Sequence, residues 1–409
     1  MIKRALGAAL IVGAVWLAAS RYVAAQGEKV KWTHLSSKMG DLPAPNPGTQ
    51  QTASLVLDVD KDGLNDFVIA ERTAAPAVVW YRRGKSGWTR QIVEKDPLHI
   101  EAGGAVADID GDGDLDIVFG GDYKSNQIWW WENPYPNYDG NVPWKRHLIK
   151  DSGANKHHDQ MFGDFDGDGE EELVFWNQED HGLFLAKIPE DPRHTEPWPI
   201  REIYSYSADS EPEQRGKPAA FKAVNEHEGL AKADIDGDGK LDIIGGGRWF
   251  KHLGGTQFAV NIIDANYAFS RAAAGQLKKG GRPEVVLVVG DGEGPLVWYE
   301  WVKGTWVSHK LLDVTNGHSL ALIDFNGDGN LDIFCAEMRL DGGNPDANIY
   351  LLLGDGSGNF ATTVVDRGYD LHESKLADLD GNGTFDILGK PYNWDTPRLD
   401  VWLSQAGER

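Results

Sequence analysis

Six short loops of this chain repeat one spacing of oxygen-bearing side chains. In each loop, Asp or Asn stands at the first, third and fifth positions, glycine at the sixth, and Asp or Glu at the ninth. This spacing suits a hard cation with about six to eight oxygen ligands, because the glycine permits the sharp turn that keeps the first carboxylates on one side. Acidic turns without a metal are the alternative, but their carboxylates would repel one another. The pattern therefore predicts up to six calcium ions, with these residues as ligands: Asp58, Asp60, Asp62 and Asp66; Asp108, Asp110, Asp112 and Asp116; Asp164, Asp166, Asp168 and Glu172; Asp234, Asp236, Asp238 and Asp242; Asp324, Asn326, Asp328 and Asp332; Asp378, Asp380, Asn382 and Asp386.

Apolar, β-rich segments flank the loops. SLVLDV precedes the first loop and DFVIA follows it, and the other loops are followed by segments such as DIVFG and DIFCA. Runs of this kind predict strands, whereas the calcium loop of an EF-hand lies between helices. We therefore interpret each loop as a turn that joins two strands.

The loops mark a repeat, and the wide gap between Asp234 and Asp324 contains one further, degenerate copy at residues 276–284. This copy has no acid at its first, third and fifth positions and contains Lys278 and Lys279. We expect it to bind no metal, with a lysine in place of the ion's charge.

Each unit continues with two more strand-like segments, so that the chain holds seven units of four strands. Such a repeat predicts an all-β fold, a seven-bladed β-propeller of four-stranded antiparallel blades. The last unit lacks its fourth strand. Residues 30–35 repeat the pattern of the fourth strands, so we expect this N-terminal strand to pair in the last blade and close the ring.

The N-terminus has the layout of a secretory signal peptide. Lys3 and Arg4 precede an apolar run over residues 5–19, and small residues follow at 23–25. We expect residues 1–25 to be a signal peptide and residues 26–409 to form one propeller, secreted or periplasmic, with no stable membrane insertion after cleavage. An uncleaved N-terminal anchor is the alternative.

Composition narrows the possible partners. The formal net charge of −23 argues against nucleic acid, which needs a positive surface. Cys335 is the single cysteine of the sequence, so the chain has no internal disulfide, and we interpret it as a small buried hydrophobe. We expect a monomer.

Histidines recur in the segments that lead into the first strand of a unit, which we call leading segments. Five of the seven contain one, in LHIEAGG, KHHDQMF, NEHEGL, NGHSL and DLHESK. Imidazoles among acids at the mouth of a channel indicate a transition-metal site or a general acid/base site, and turn capping is the alternative. Our candidate catalytic residues are His158, His227, His318, His372 and Arg271. His227 stands one residue further from its loop than the others, and such an offset reverses the face of a strand.

The loops between second and third strands should lie on the same rim as the histidines. They contain cations and aromatic rings, which suit an anionic or polyhydroxylated ligand such as a carbohydrate. Blade packing is the alternative role for most tryptophans. The candidate substrate-binding residues are Arg72, Lys124, Arg248, Trp249, Arg339, Tyr392 and Trp394.

With these loops, residues 30–404 resemble the FG-GAP/VCBS propellers, whose best known members are the integrin α-subunit head domains. The resemblance implies the fold and calcium binding. The leading segments are also similar to those of aldos-2-ulose dehydratase/isomerase and of propeller polysaccharide lyases. This implies an exported enzyme that acts on a carbohydrate by proton abstraction and elimination. A non-catalytic module for glycan or protein binding, or for adhesion, is the alternative.

Overall fold

A computed structural model describes residues 30–140, 142–206 and 226–405 of the chain. Within these residues, 28 strands form seven antiparallel sheets of four strands each, and the only helices are two 3-10 turns, Ala265–Tyr267 and Leu340–Gly342. The proposed signal peptide, residues 1–25, lies outside the described residues. Neither of the described helices is suited to crossing a membrane.

The first strand in the sequence does not belong to the first blade. It is β1 (Lys31–Ser36), which belongs to the last sheet. The remaining strands fill the first three blades in chain order. Blade 1 contains β2 (Ala53–Leu57), β3 (Asp66–Ala70), β4 (Val78–Gly84) and β5 (Gly87–Glu94); blade 2 contains β6 (Ala105–Ala107), β7 (Asp116–Gly120), β8 (Ile128–Glu132) and β9 (Lys145–Lys150); blade 3 contains β10 (His157–Gly163), β11 (Glu172–Asn177), β12 (Gly182–Lys187) and β13 (Ile200–Ser205).

The last four blades follow the same order. Blade 4 contains β14 (Ala231–Ala233), β15 (Asp242–Gly245), β16 (Arg248–Gly254) and β17 (Gln257–Ile262); blade 5 contains β18 (Ser270–Gly275), β19 (Glu284–Val289), β20 (Glu293–Val302) and β21 (Thr305–Thr315); blade 6 contains β22 (Ser319–Ile323), β23 (Asp332–Ala336), β24 (Asn348–Gly354) and β25 (Phe360–Arg367); blade 7 contains β26 (Lys375–Ala377), β27 (Asp386–Gly389), β28 (Asp400–Gln405) and β1.

The N-terminal strand closes the ring, as the sequence predicts. β1 pairs antiparallel with β28 over its full length, from Lys31 opposite Gln405 to Ser36 opposite Asp400. The ring of His34 stacks on Trp402 at 4.6 Å, and its Nε2 lies 2.8 Å from Asp400 Oδ1. The pairing covers an edge of β28 that would otherwise offer unpaired backbone groups to another chain.

The second strand of each blade is buried on both faces, which explains its unbroken apolar composition. β3, β7 and β23 have no exposed residue. Their side chains join hydrophobic clusters between neighbouring blades, for example Trp80 of blade 1 with Phe119 and Trp131 of blade 2. Cys335 lies in β23 as a buried free thiol.

All six acidic loops join the first and second strands of their blades, as predicted, and the ninth residue of each loop begins the second strand. The leading segments therefore meet at the opposite rim, together with the loops between second and third strands. The fold separates the two groups of candidate residues by the length of a blade.

Candidate functional site

A cleft of about 170 Å³ lies where several leading segments converge. Its lining includes three of the candidate histidines and two of the candidate substrate-binding residues, and it is completed by acids from blades 2, 4 and 5. The lining residues that matter below are His158, Glu228, His318, His372, Arg72 and Glu101.

Two imidazoles share one carboxylate in this cleft. His158 Nε2 lies 3.2 Å from Glu228 Oε1, and His318 Nε2 lies 3.5 Å from Glu228 Oε2. All three side chains are nearly fully buried, and one ligand atom from each lies within 4.8 Å of the others. Two histidines and one carboxylate in this arrangement are a donor set that divalent transition metals use in proteins.

A β-bulge positions the acid behind His158. β10 pairs with β11 through His158 and Gln160 but skips Asp159, whose φ of 50° is left-handed. The extra residue allows both His158 and Asp159 to reach the centre. Asp159 Oδ2 accepts from His158 Nδ1 at 2.9 Å and from the backbone N–H of Gly229 at 2.8 Å. A carboxylate on the second ring nitrogen fixes the orientation of an imidazole and leaves its Nε2 facing the ligand.

Arg271 links this acid to blade 7. Its Nη2 lies 2.6 Å from Asp159 Oδ1 and 2.8 Å from Glu373 Oε1. Glu373 also lies 3.8 Å from His318 Nδ1 and 3.1 Å from Lys375 Nζ. Arg271 therefore contacts the acids that surround both histidines, and within the described structure it serves as their counterion.

The acids hold positive charge on His158. Burial alone would lower the pKa of this ring, but Glu228 and Asp159 raise it to about 9. Burial opposes ionisation of Asp159, but Arg271 and His158 bring its pKa far below the ordinary range. The site consequently favours a cation between its carboxylates, which can be a proton on His158 or a metal ion in its place.

His372 occupies a different electrostatic environment. Its ring stacks on His318 at 4.3 Å, and its Nδ1 lies 3.1 Å from Lys390 Nζ, which also donates to the carbonyl of Gln51 at 2.9 Å. Burial and the nearby charge of Lys390 keep the pKa of His372 well below 6.5, and burial lowers the pKa of Lys390 to about 7. His372 is therefore a neutral imidazole at physiological pH.

Arg72 and Tyr392 form the other wall of the cleft. Arg72 Nη1 donates to the Tyr392 hydroxyl at 3.3 Å, its Nη2 contacts Glu101, and its Nε lies 3.7 Å from Asp122 Oδ2. Its guanidinium is nearly fully buried. The structure thus brings two of the seven candidate substrate-binding residues to the cleft and pairs the Arg72 cation with Glu101 and Asp122.

The structure places His227, Arg248 and Trp249 outside the lining of the cleft. His227 is buried beside Tyr206, with ring centroids 3.6 Å apart, because the one-residue offset turns Glu228 inward instead. Arg248 is buried and donates to the carbonyl of Gly246. Trp249 packs in the hydrophobic core against Trp301 and Trp306 of blade 5.

The remaining candidates lie on the rim away from the cleft. Lys124 is exposed, with its Nζ 5.1 Å from the ring of Tyr123. Arg339 stacks on Trp394 at 3.7 Å and donates to the carbonyl of Gly368, so these two residues form a pair of their own.

Several residues of the site were not among our candidates. Glu228, Asp159 and Glu373 each stand directly beside a candidate histidine in the sequence, and Lys390 belongs to the same rim. Adjacency to histidine was an available signal. The bulge at Asp159 allows two neighbouring residues to point inward. The sequence pattern does not indicate this bulge.

On the opposite rim, the acidic loops bring their oxygens together as a hard cation requires. In at least four loops, three carboxylates lie with one oxygen each within 4.8 Å of the others: Asp58, Asp60 and Asp62; Asp108, Asp110 and Asp112; Asp164, Asp166 and Glu172; Asp234, Asp236 and Asp242. The sixth-position glycines have positive φ, and their backbone N–H groups donate to the first aspartate, as Gly63 does to Asp58 at 3.0 Å. Buried oxygens such as Asp66 Oδ2 and Asp236 Oδ1 have no hydrogen-bond donor among the described residues. The donor set fits calcium.

A family profile described as the FG-GAP-like repeat matches four overlapping segments, residues 58–119, 108–175, 280–335 and 324–389, which together cover more than half of the chain. The chain belongs to the FG-GAP-like repeat family. Each match begins in or near one loop and ends in or after the strand that follows the next loop, so the FG-GAP-like repeat spans successive blades. One match begins inside the degenerate loop of blade 5.

Solved propellers resemble the chain in structure at low identity. The Vibrio cholerae biofilm matrix protein Bap1 is 11% identical, with 88% of this chain and 89% of that chain covered at a TM-score of 0.49. The fungal lectin of Aleuria aurantia, described as a six-bladed β-propeller with a fucose recognition mode, is 14% identical, with 80% and 98% covered at a TM-score of 0.42. A comparison with curated proteins finds no match.

Proposed function

We propose that the central cleft binds a carbohydrate or another polyhydroxylated ligand through a divalent transition metal held by His158, Glu228 and His318. The supporting observation is the buried arrangement of these three side chains, with one ligand atom from each within 4.8 Å of the others. A metal bound there would polarise a hydroxyl or carbonyl oxygen of the ligand.

The surrounding residues fit this role. Asp159 holds the His158 ring by Nδ1 at 2.9 Å, which leaves Nε2 for the metal. Glu228 Oε1 accepts from Gln178 Nε2 at 3.1 Å, so its carboxylate is also held in place. These contacts keep the donor atoms in position when no ligand is bound.

The charge of the cleft favours a neutral ligand over an anionic one. Its lining contains the acids Glu101, Glu226, Glu228 and Asp291 against three cations, Arg72, Lys156 and protonated His158, and each of these cations already contacts an acid. Carboxylates accept from sugar hydroxyls and repel anions, so an anionic sugar would depend on the metal for its charge.

Metal analysis tests the proposal. We expect purified protein incubated with zinc and dialysed in calcium buffer to retain about one zinc ion per chain more than His158→Ala and Glu228→Gln variants. His194→Ala is the matched control, because this imidazole is exposed and bonded only to Asp191 among described residues. Zinc retention that is equal in wild type and both cleft variants would contradict the metal site. Loss of glycan binding after chelation, measured by calorimetry against neutral oligosaccharides, would connect metal and ligand.

A second function, elimination by proton abstraction, is favoured by His372. This imidazole lines the cleft and is neutral at physiological pH, so it is available to accept a proton next to a carbonyl or carboxylate. Arg72 lies on the same cleft and would stabilise the resulting negative charge. The assay is the rise in ultraviolet absorbance as unsaturated products form from uronic-acid polymers. We expect His372→Gln to abolish it and His194→Ala to retain it, and unchanged activity in His372→Gln would refute this role.

A further inference from the structure

The ninth acid of each loop begins the second strand of its blade, and one residue of the third strand lies directly opposite it. The type of this opposite residue differs among the blades. In blade 3, Glu172 of β11 pairs directly with Lys187 of β12. The pairing of Phe67 with Tyr81 places Arg82 at this position in blade 1, and that of Ile243 with Phe250 places Lys251 there in blade 4. Blades 1, 3 and 4 thus have a cation on the third strand beside an acidic loop.

These cations contact the oxygens that a metal would use. Lys187 Nζ lies 3.1 Å from Asp166 Oδ2 and also contacts Asp168. Lys251 Nζ lies 3.2 Å from Asp238 Oδ2 and contacts Asp236. Arg82 contacts Asp60. In each case the partners include a third- or fifth-position acid of the loop, and Lys187 Nζ also lies 3.9 Å from Oε1 of the ninth-position Glu172.

Blades 2 and 5 show that the opposite residue complements the loop. In blade 2 the position holds Glu132, and Arg193 of the neighbouring blade bridges it, at 3.0 Å, to Asp110 at 2.6 Å and Asp112 at 2.9 Å. In the degenerate loop of blade 5 the signs are inverted, because Lys278 of the loop lies 2.5 Å from Glu300 on the third strand.

Blades 6 and 7 lack such a cation. The pairing of Ile333 with Leu352 places Leu353 at the position in blade 6, and the pairing of Ile387 with Trp402 places Leu403 there in blade 7. Their loops replace one acid by Asn326 or Asn382. Among the described residues, no lysine or arginine forms an ion pair with the acids of these two loops.

We propose that the tethered cations Arg82, Lys187, Lys251 and Arg193 divide the six loops into two classes, and that calcium fills the loops of blades 6 and 7 first. In blades 1 to 4 calcium has to take oxygens that a lysine or arginine already contacts, so part of its binding free energy is used to displace that cation. In the loops of blades 6 and 7, as far as the structure describes them, calcium displaces no lysine or arginine, only a neutral donor such as the Asn326 amide, which lies 3.1 Å from Asp328 Oδ2. If the number of carboxylates alone set affinity, the order would be reversed, since blades 1 to 4 have one acid more.

Hydrogen exchange resolved by mass spectrometry tests this order on the full chain. Protein stripped with EGTA is titrated with calcium, and amide protection is followed in peptides that cover each loop. We expect residues 324–332 and 378–386 to gain protection at lower calcium concentrations than residues 58–66, 108–116, 164–172 and 234–242. Simultaneous protection of all loops, or earlier protection in blades 1 to 4, would overturn the proposal.

Substitutions make the test specific to the cations. We expect Lys187→Met to lower the calcium concentration that half-protects residues 164–172 by roughly tenfold, since one unit charge close to a divalent ion is removed, and to leave the other loops unchanged. Leu353→Lys should shift residues 324–332 in the opposite direction, with Leu353→Met as its control. Lys310→Met removes an exposed lysine that pairs with Asp313, and it should shift no loop. A Lys187→Met loop that fills at the wild-type concentration would refute the displacement mechanism. This readout requires neither the cleft metal nor any ligand, so it stands apart from the proposed function.

Discussion

Asp159→Asn should cost the protein much of its stability while preserving the local backbone. Asp159 accepts from His158 Nδ1, Arg271 Nη2 and the backbone N–H of Gly229 at 2.9, 2.6 and 2.8 Å. Asparagine tolerates the left-handed φ of 50° at this bulge, and its side-chain oxygen still accepts from Gly229. The substitution therefore removes mainly one negative charge from the centre of the ring.

The expected loss of unfolding free energy depends on the partners that remain for Arg271 and His158 after the Asp159 charge is removed. Removing one partner of a buried ion pair costs about 3–5 kcal/mol. Arg271 keeps Glu373 at 2.8 Å, so we expect the lower end, about 3 kcal/mol of unfolding free energy at neutral pH. Asp313→Asn is the matched control, since it breaks an exposed pair with Lys310, and such pairs contribute about 0–1 kcal/mol.

The pH dependence gives a second measurement of the same interaction. The folded-state pKa of His158 is raised to about 9 from an ordinary value of 6.5, so its contribution to stability is complete below pH 6.5 and is lost as pH rises through 9. Asp159→Asn removes one of the two carboxylates that raise this pKa and should flatten the loss. Both proteins are dialysed against a chelator and unfolded in urea at several pH values between 6 and 10. A variant as stable as Asp313→Asn, or with an unchanged pH slope, would refute the reasoning.

Three further predictions concern the scaffold. Cys335, whose burial raises the thiol pKa, should not react with a thiol reagent in the native protein and should react once per chain after unfolding. Gly229→Ala should cost about 2 kcal/mol or more in thermal or urea unfolding, because φ is 77° there and the new Cβ would lie 2.6 Å from the carbonyl of Ser270; a cost near zero would contradict the close packing. His34→Ala should cost about 1–2 kcal/mol by losing its Trp402 stacking and its contact with the Asp400 carboxylate, and unchanged stability would show that these side chains do not support ring closure.

The repeat pattern was sufficient to predict the fold because the same local sequence features recur from blade to blade. A loop with glycine at its sixth position, a ninth acid that begins the second strand and an apolar run recur in register, so an interpretation of one unit applies to all. Closure was also predictable, since β28 needed a partner and residues 31–36 had the composition of a fourth strand. Calcium and the signal peptide stay predictions.

The cleft was predictable only in part, because side-chain direction near the end of a strand depends on single-residue shifts. His158, His318, His372 and Arg271 converge as their equivalent positions indicate. His227 and Glu228 exchange roles through a one-residue offset. Trp249 shows a second reason why the cleft was only partly predictable, namely that interblade packing can bury a side chain of the rim. Its place at the start of a third strand suggested ligand contact, but its ring lies between blades 4 and 5, where a large apolar surface is buried.

The central charges also explain how a propeller tolerates so many ionisable groups at its axis. The cluster takes one contact residue from each of five consecutive blades: Asp159, Glu228, Arg271, His318 and Glu373. Arg271, His318 and Glu373 each contact two others of the five, and His158 of blade 3 completes the network by contacting Asp159 and Glu228, so the charges are compensated across blade boundaries. A substitution at one residue therefore changes the environment of its partners on other blades, and paired substitutions such as Asp159→Asn with Glu373→Gln should be strongly non-additive. The same linkage keeps the donor atoms of His158, Glu228 and His318 at fixed separations, because moving one blade would break ion pairs to two others. A ring of blades that is held together at its centre by charges is also a rigid frame for a ligand site.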